Sequence, residues 1–259
     1  MPPAEALAIF VAAVAAGGIN AVVGSGSLIT FPTLLAFGFP AVIANVSNSV
    51  GLVFGNITGS VGYRSELTGQ RAVLLRLGVA SVAGSLAGAI LLLSLPASAF
   101  TLIVPVLILL SCALVIAQPR LHGWLARRRA ANGQQSADGE QPPGPVLPAG
   151  IAAAGAYGGY FGAAQGVLVI GLLGSFLYGD LQRANAGKNV LVAAVNGTAA
   201  VVFIFFAHVN WVVAALIAVG SAAGGVLGAK VGRKLPALAL RITIVVIGLV
   251  AVAKLVVFS

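Results

Sequence analysis

Ten apolar segments, separated by short polar loops, make up most of this chain. Several approach the roughly 20 residues that a straight helix needs to cross a bilayer. Their hydrophobicity is continuous, whereas barrel strands alternate between apolar and polar residues. Charged residues make up only 7% of the chain, against about 25% in soluble domains. We therefore predict an all-α polytopic membrane protein with about 8–10 membrane segments. The segments are residues 5–23, 27–38, 41–63, 73–95, 97–118, 148–163, 167–179, 184–207, 211–229 and 237–258.

Two of these segments, 27–38 and 167–179, are about half the length of a span, and a polar break precedes each. Backbone outside a helix is costly in lipid unless protein or water covers it. A broken helix also presents N–H groups and the positive end of its dipole to an anion. Both breaks are therefore predicted to bind substrate, through Gly24, Ser25, Gly26, Ser27, Gln165 and Gly166. The alternative is that glycine only permits close helix packing, which we adopt for Gly84, Gly88, Gly224 and Gly228.

The two halves of the chain repeat each other at a shift of 140 residues, which pairs Asn45 with Asn185 and Asn56 with Asn196. The match needs no gap over roughly 70 residues. We therefore predict an internal duplication, with a first repeat at 1–118, a linker at 119–147 and a second repeat at 148–259. The Pro-, Gly- and Gln-rich composition of the linker favours a flexible exposed segment.

Basic residues lie at different places in the two halves. The loop 64–76 contains three arginines, but its counterpart in the second half contains no Lys or Arg. The second half is instead basic around 230–241. Because basic loops remain in the cytoplasm, the halves are predicted to have opposite orientations. This is an inverted repeat with broken or half-length helices, typical of secondary transporters. The linker is predicted to be cytoplasmic and both termini to lie outside.

Each half also carries a polar stripe at helical spacing. The two stripes match position for position and are predicted to line a substrate pocket. An alternative is that their amides form structural hydrogen bonds between helices. For Lys188, the only charge on either stripe, two interpretations stay open: it attracts an anion, or it extends to the cytoplasmic surface. The stripes comprise Asn45, Asn48, Ser49 and Asn56, and Asn185, Lys188, Asn189 and Asn196.

Acidic, histidine and cysteine side chains are scarce. The chain has five acidic residues, none deep in a predicted span. Of its two histidines, His122 lies in the linker and His208 in a short outer loop, and its one cysteine, Cys112, lies inside an apolar segment. We therefore predict no enzyme activity, no metal site and no cofactor. The net charge of +9 comes from lysines and arginines in a few loops, so we interpret it as a topology signal and predict no nucleic-acid partner.

Residues 17–64 and 155–200, which contain both breaks and both stripes, resemble the two repeats of the sulfite exporter TauE/SafE family. Many relatives carry Thr-Asn-Lys where this chain has Ser47-Asn48-Ser49. The resemblance implies a helical inverted-repeat permease of the plasma (inner) membrane. Its substrates would be small anions: sulfite, other sulfur oxyanions or organosulfonates. We expect alternating access, and an anion-selective channel of the same architecture is the alternative. The expected partners are the anion and the lipid bilayer, and a homo-oligomer is left open.

Overall fold

The computed structural model describes residues 1–131, 144–178, 180–231 and 237–257. This part of the chain forms ten α-helices, one short 3-10 helix (Arg64–Leu67) and no strands, which confirms the all-helical prediction. The middle of the predicted linker and the basic residues Arg233 and Lys234 lie outside the described residues. The helices are α1 (Pro3–Val22), α2 (Ser27–Ala36), α3 (Ala41–Gly62), α4 (Arg71–Ser94), α5 (Ala97–Ala131), α6 (Val146–Tyr160), α7 (Gln165–Phe176), α8 (Leu181–Phe206), α9 (Trp211–Val231) and α10 (Ala237–Val257).

Six of the described helices are long and apolar enough to cross a membrane, as a multi-pass membrane protein requires. These spans lie in α1, α3, α4, α5, α8 and α9. Helices α2 and α7 are much shorter, with 10 and 12 residues. At 1.5 Å per residue they measure about 15–18 Å, roughly half of the 30 Å hydrocarbon core. The two half-length helices predicted from the sequence are therefore confirmed.

Helix α5 continues past the end predicted for its apolar segment. The sequence placed that end at 118, but the helix runs through Pro119 to Ala131. Hydropathy falls at 118 because arginines follow, whereas arginine, leucine and alanine all have high helix propensity. The start of the predicted linker is therefore helical, since a loss of hydrophobicity ends a membrane segment without ending the helix.

Small residues bring several helices into close contact. A Cβ atom built on Gly84 or Gly88 of α4 would lie 2.0 Å from a main-chain oxygen of α6. The matched Gly224 and Gly228 on α9 approach α1 in the same way, at 2.0 and 2.6 Å. No side chain fits in such contacts, so these glycines have the packing role that their spacing predicts.

Packing between helices follows a regular scheme. Helix α1 packs on α9, and its counterpart α6 packs on α4. Likewise α3 contacts α9 where α8 contacts α4, and α2 contacts α10 where α7 contacts α5. Each contact remains when every helix is replaced by its partner at the 140-residue shift. Helices α3 and α8, which carry the polar stripes, pack on each other.

Candidate functional site

The two helix breaks contact each other in the interior of the protein. The Gly166 N–H of the second break donates to the Gly24 carbonyl of the first, at 3.1 Å. A Cβ atom on Gly166 would lie 2.4 Å from the Gly24 Cα, so only glycine permits this approach. Gly24 and Gly162 have positive φ angles, of +85° and +80°. This left-handed region favours glycine. Ala164, the N-cap of α7, adopts a φ of 57°, the kind of local strain found at functional sites.

Asn48 joins α3 to the half-helix α2. Its amide nitrogen donates to the Ser27 hydroxyl at 3.2 Å. Its amide oxygen accepts from the hydroxyl of Thr30, one turn further along α2. All three side chains are buried. Asn48 therefore holds the start of α2 against the first polar stripe, and the amide has little freedom to turn away.

Asn45 and Asn185, which match at the 140-residue shift, make equivalent contacts across the two halves. The Asn45 amide donates to the carbonyl of Tyr160, at the end of α6, at 3.0 Å. The Asn185 amide donates to the carbonyl of Ala21, at the end of α1, at 3.1 Å. Each asparagine thus caps the broken helix of the other half, whose last carbonyls have no partner within the helix. The structural alternative considered for the stripes is therefore observed here.

Lys188 is fully buried, with 0% of its side chain exposed. Its ammonium donates to the carbonyls of Asn20 at 2.8 Å and Ala21 at 3.2 Å. The interpretation that Lys188 extends to the cytoplasmic surface is therefore wrong. The C-terminal end of a helix carries partial negative charge, so a buried ammonium is stabilised at this position. The Asn189 amide also reaches the Ala21 carbonyl, at 3.3 Å.

Two buried residues of this cluster are absent from the sequence prediction. Asn20 donates through its side chain to the Asn56 amide oxygen, and its own amide oxygen accepts from the Gly26 N–H at 3.3 Å. Thr30 bonds Asn48. They were not selected because they lie outside both the breaks and the stripes: Asn20 comes before the first break, and Thr30 lies inside the half-helix that follows it. A polar side chain inside an apolar segment was itself a sufficient signal.

Several buried polar atoms of this cluster have no hydrogen-bond partner among the described residues. Gln165, at the start of α7 and 1% exposed, has neither its amide nitrogen nor its amide oxygen paired. The same holds for the Ser25 hydroxyl and for one amide atom each of Asn45, Asn56 and Asn185. Unpaired buried polar groups cost about 1–3 kcal/mol each. Ser25 and Gln165 lie in the two breaks, and the three asparagines lie on α3 and α8, which pack beside the half-helices. A polar ligand that paired these atoms would recover that cost.

The other predicted residues are buried in the same helices with different contacts. The Ser49 hydroxyl donates to the Asn45 carbonyl of its own helix at 2.9 Å. Gly26 packs on α1, where a Cβ atom would lie 2.4 Å from the Ala16 oxygen. Asn196 is buried further along α8. The cluster as a whole offers neutral donors and one ammonium group, a combination that suits an anion. No three His, Cys, Asp or Glu of the described residues could hold a metal ion.

Comparison with known proteins identifies the family. Residues 9–255 match the family described as Sulfite exporter TauE/SafE. The chain is 27% identical to "Probable membrane transporter protein YfcA" of Escherichia coli (strain K12), over 95% of this chain and 88% of the relative. It is 26% identical to a "Probable membrane transporter protein" of Haemophilus influenzae, over 96% and 93%. No solved structure matches. The chain therefore belongs to the sulfite exporter TauE/SafE family of membrane transporters.

Proposed function

We propose that this protein is a plasma-membrane permease that moves a small anion by alternating access. The substrate would be sulfite, another sulfur oxyanion or an organosulfonate. The family description, sulfite exporter, supports this substrate class, and the names of the relatives support transport. The family consists of transporters rather than enzymes. The linker would lie in the cytoplasm and both termini outside, as the basic loops suggest.

The observation that carries the proposal is the meeting of two helix breaks beside a buried cation and unpaired polar side chains. Gly24 and Gly166 touch, and the Lys188 ammonium lies at the end of the helix that precedes Gly24. The unpaired Gln165 amide lies in the second break. The starts of half-helices attract anions in transporters of this kind. A sulfur oxyanion has several acceptor oxygens, which can bond these donors at once.

An inverted repeat is part of the proposal, and the packing scheme supports it. Contacts between the halves occur in equivalent pairs: α1 packs on α9, and α6 packs on α4. The first helix of each half therefore packs on the fourth helix of the other half. The binding residues are buried in this conformation, so the substrate would enter and leave when one group of helices rocks against the other.

Gln165 provides the sharpest test of this function. A buried amide without a partner destabilises the fold, so its presence favours a role in binding. The variant Gln165→Met keeps the size of the side chain and removes the polar atoms. We expect its thermal stability to equal or exceed that of the wild type. We expect sulfite uptake into proteoliposomes to lose affinity by about 10-fold or more, because a hydrogen bond to a charged group contributes about 1.5–3 kcal/mol.

The control is Ser94→Ala on α4, which removes an exposed hydroxyl that bonds its own helix. Unchanged sulfite affinity in Gln165→Met would contradict the site, and absent uptake by the wild type would contradict the substrate class. Accelerated exchange against internal sulfite would support alternating access. Single-channel conductance in planar bilayers would instead show that the protein is an anion channel.

A further inference from the structure

The end of α1 receives hydrogen bonds from several side chains of α8. The Lys188 ammonium reaches the Asn20 and Ala21 carbonyls at 2.8 and 3.2 Å. The amides of Asn185 and Asn189 reach the Ala21 carbonyl at 3.1 and 3.3 Å. Three side chains of α8 therefore converge on two successive carbonyls of α1.

This arrangement has the chemistry of a cation site. The last carbonyls of a helix have no partner within the helix and form the negative end of its dipole. Where such an end is buried in a membrane transporter, its carbonyls bind Na⁺ or another cation. Here the ion's place is taken by an ammonium group that belongs to the chain. Its partners are main-chain carbonyls, which carry no net charge. They therefore do not neutralise the positive charge of the ammonium, which can still attract an anion at the breaks.

The end of α6, the helix before the second break, has no such ammonium group among the described residues. At the shift of 140 residues, Lys188 matches Asn48. Asn48 bonds Ser27 and Thr30 of its own half instead of the end of α6. The Tyr160 carbonyl at that end accepts the neutral amide of Asn45. The cation is therefore a specific feature of α1 that the duplication does not require.

Lys188 is also packed against the contact between the breaks. A Cβ atom on Gly24 would lie 3.2 Å from the Lys188 Cδ and 2.5 Å from the Gly166 Cα. The side chain thus runs beside Gly24 and ends on the carbonyls of Asn20 and Ala21, in the last turn of α1. The Lys188 side chain therefore links the end of α1 to the contact between Gly24 and Gly166.

We propose that the end of α1 is a monovalent-cation site that the chain fills with its own Lys188 ammonium, and that Lys188 thereby positions the first break. The consequence for transport rests on the proposed function, but the site does not. Any organic ammonium of the right length should replace the side chain. The substitution Lys188→Ala removes three carbons and the ammonium, a fragment that corresponds to n-propylammonium.

The test is thermal unfolding of purified Lys188→Ala in detergent with n-propylammonium chloride, against choline chloride at equal concentration. We expect the variant to unfold below the wild type and to regain about 3–6 °C when the amine is at roughly tenfold its Kd. 1-Propanol, which has the same shape without the charge, should give no such gain. The wild type, whose site is occupied, should not respond to the amine.

An equal shift with 1-propanol or in the wild type, or no shift at all, would overturn the proposal. If Lys188→Ala aggregates in choline chloride, its recovery as a monodisperse protein only when n-propylammonium is present throughout purification supports the site, and aggregation under both conditions overturns it. Lys188→Met, which fills the same space without charge, provides an independent measurement. We expect it to unfold well below the wild type and to ignore the amine, and a wild-type unfolding temperature would overturn the proposal. None of these measurements uses anion transport.

Discussion

The contact between Gly24 and Gly166 leaves no space for a side chain at the point where the two breaks meet. In Gly166→Ala, the new Cβ would lie 2.4 Å from the Gly24 Cα and 2.8 Å from its carbonyl oxygen. Carbon atoms normally pack at about 3.5–4.0 Å, so the breaks must separate by about 1 Å. That movement would also stretch the 3.1 Å hydrogen bond from the Gly166 N–H to the Gly24 carbonyl.

The expected loss of unfolding free energy in Gly166→Ala is the sum of two contributions. Overpacking a well-packed site costs about 1–3 kcal/mol, and a weakened hydrogen bond adds about 1 kcal/mol. Together they predict a loss of about 2–4 kcal/mol for Gly166→Ala. For a chain of this size that corresponds to a fall in unfolding temperature of about 5–15 °C, which a thermal-unfolding measurement in detergent resolves easily.

Gly174 provides the matched control because it lies on the same half-helix and a Cβ atom there would meet nothing within 4 Å. Alanine has the higher helix propensity, so Gly174→Ala should be neutral or more stable by up to about 1 kcal/mol. If Gly166→Ala unfolds at or above the temperature of Gly174→Ala, the two breaks do not touch as described. That result would refute the contact between Gly24 and Gly166 on which the site depends.

Two further substitutions test the packing around the site. Gly88→Ala should lower the unfolding temperature, because its Cβ would lie 2.0 Å from the Ala156 oxygen. Gly78→Ala on the same helix meets open space and should leave the unfolding temperature unchanged. Equal stability of the two variants would contradict the packing of α4 on α6. Thr30→Val keeps the shape of the side chain but leaves the Asn48 amide oxygen without its donor, which should cost about 1–3 kcal/mol in chemical unfolding; an unchanged unfolding midpoint would refute that hydrogen bond.

The half-length helices and the polar stripes could be predicted from the sequence because both are local properties. Segments 27–38 and 167–179 are too short to span a bilayer, and the structure places α2 and α7 there. The end of α5 was predicted too early, because hydropathy predicts only where the chain leaves the lipid. The helix itself continues to Ala131, through residues of high helix propensity. Asn20 and Thr30 were missed because the prediction was confined to the two breaks and the two stripes, and neither residue lies in them.

The sequence by itself determined that this chain is a helical membrane protein with two breaks and two buried polar stripes. Those features follow from hydrophobicity summed over segments and from spacing along one helix. Only the tertiary structure decided the partners: Gly24 against Gly166, and the Lys188 ammonium on the carbonyls of Asn20 and Ala21. These pairs are more than 100 residues apart in the chain, so their contacts depend on how whole helices pack. A lysine that the sequence allowed to reach the membrane surface is instead held at the end of a broken helix, because that end offers the negative partial charge that a buried ammonium requires.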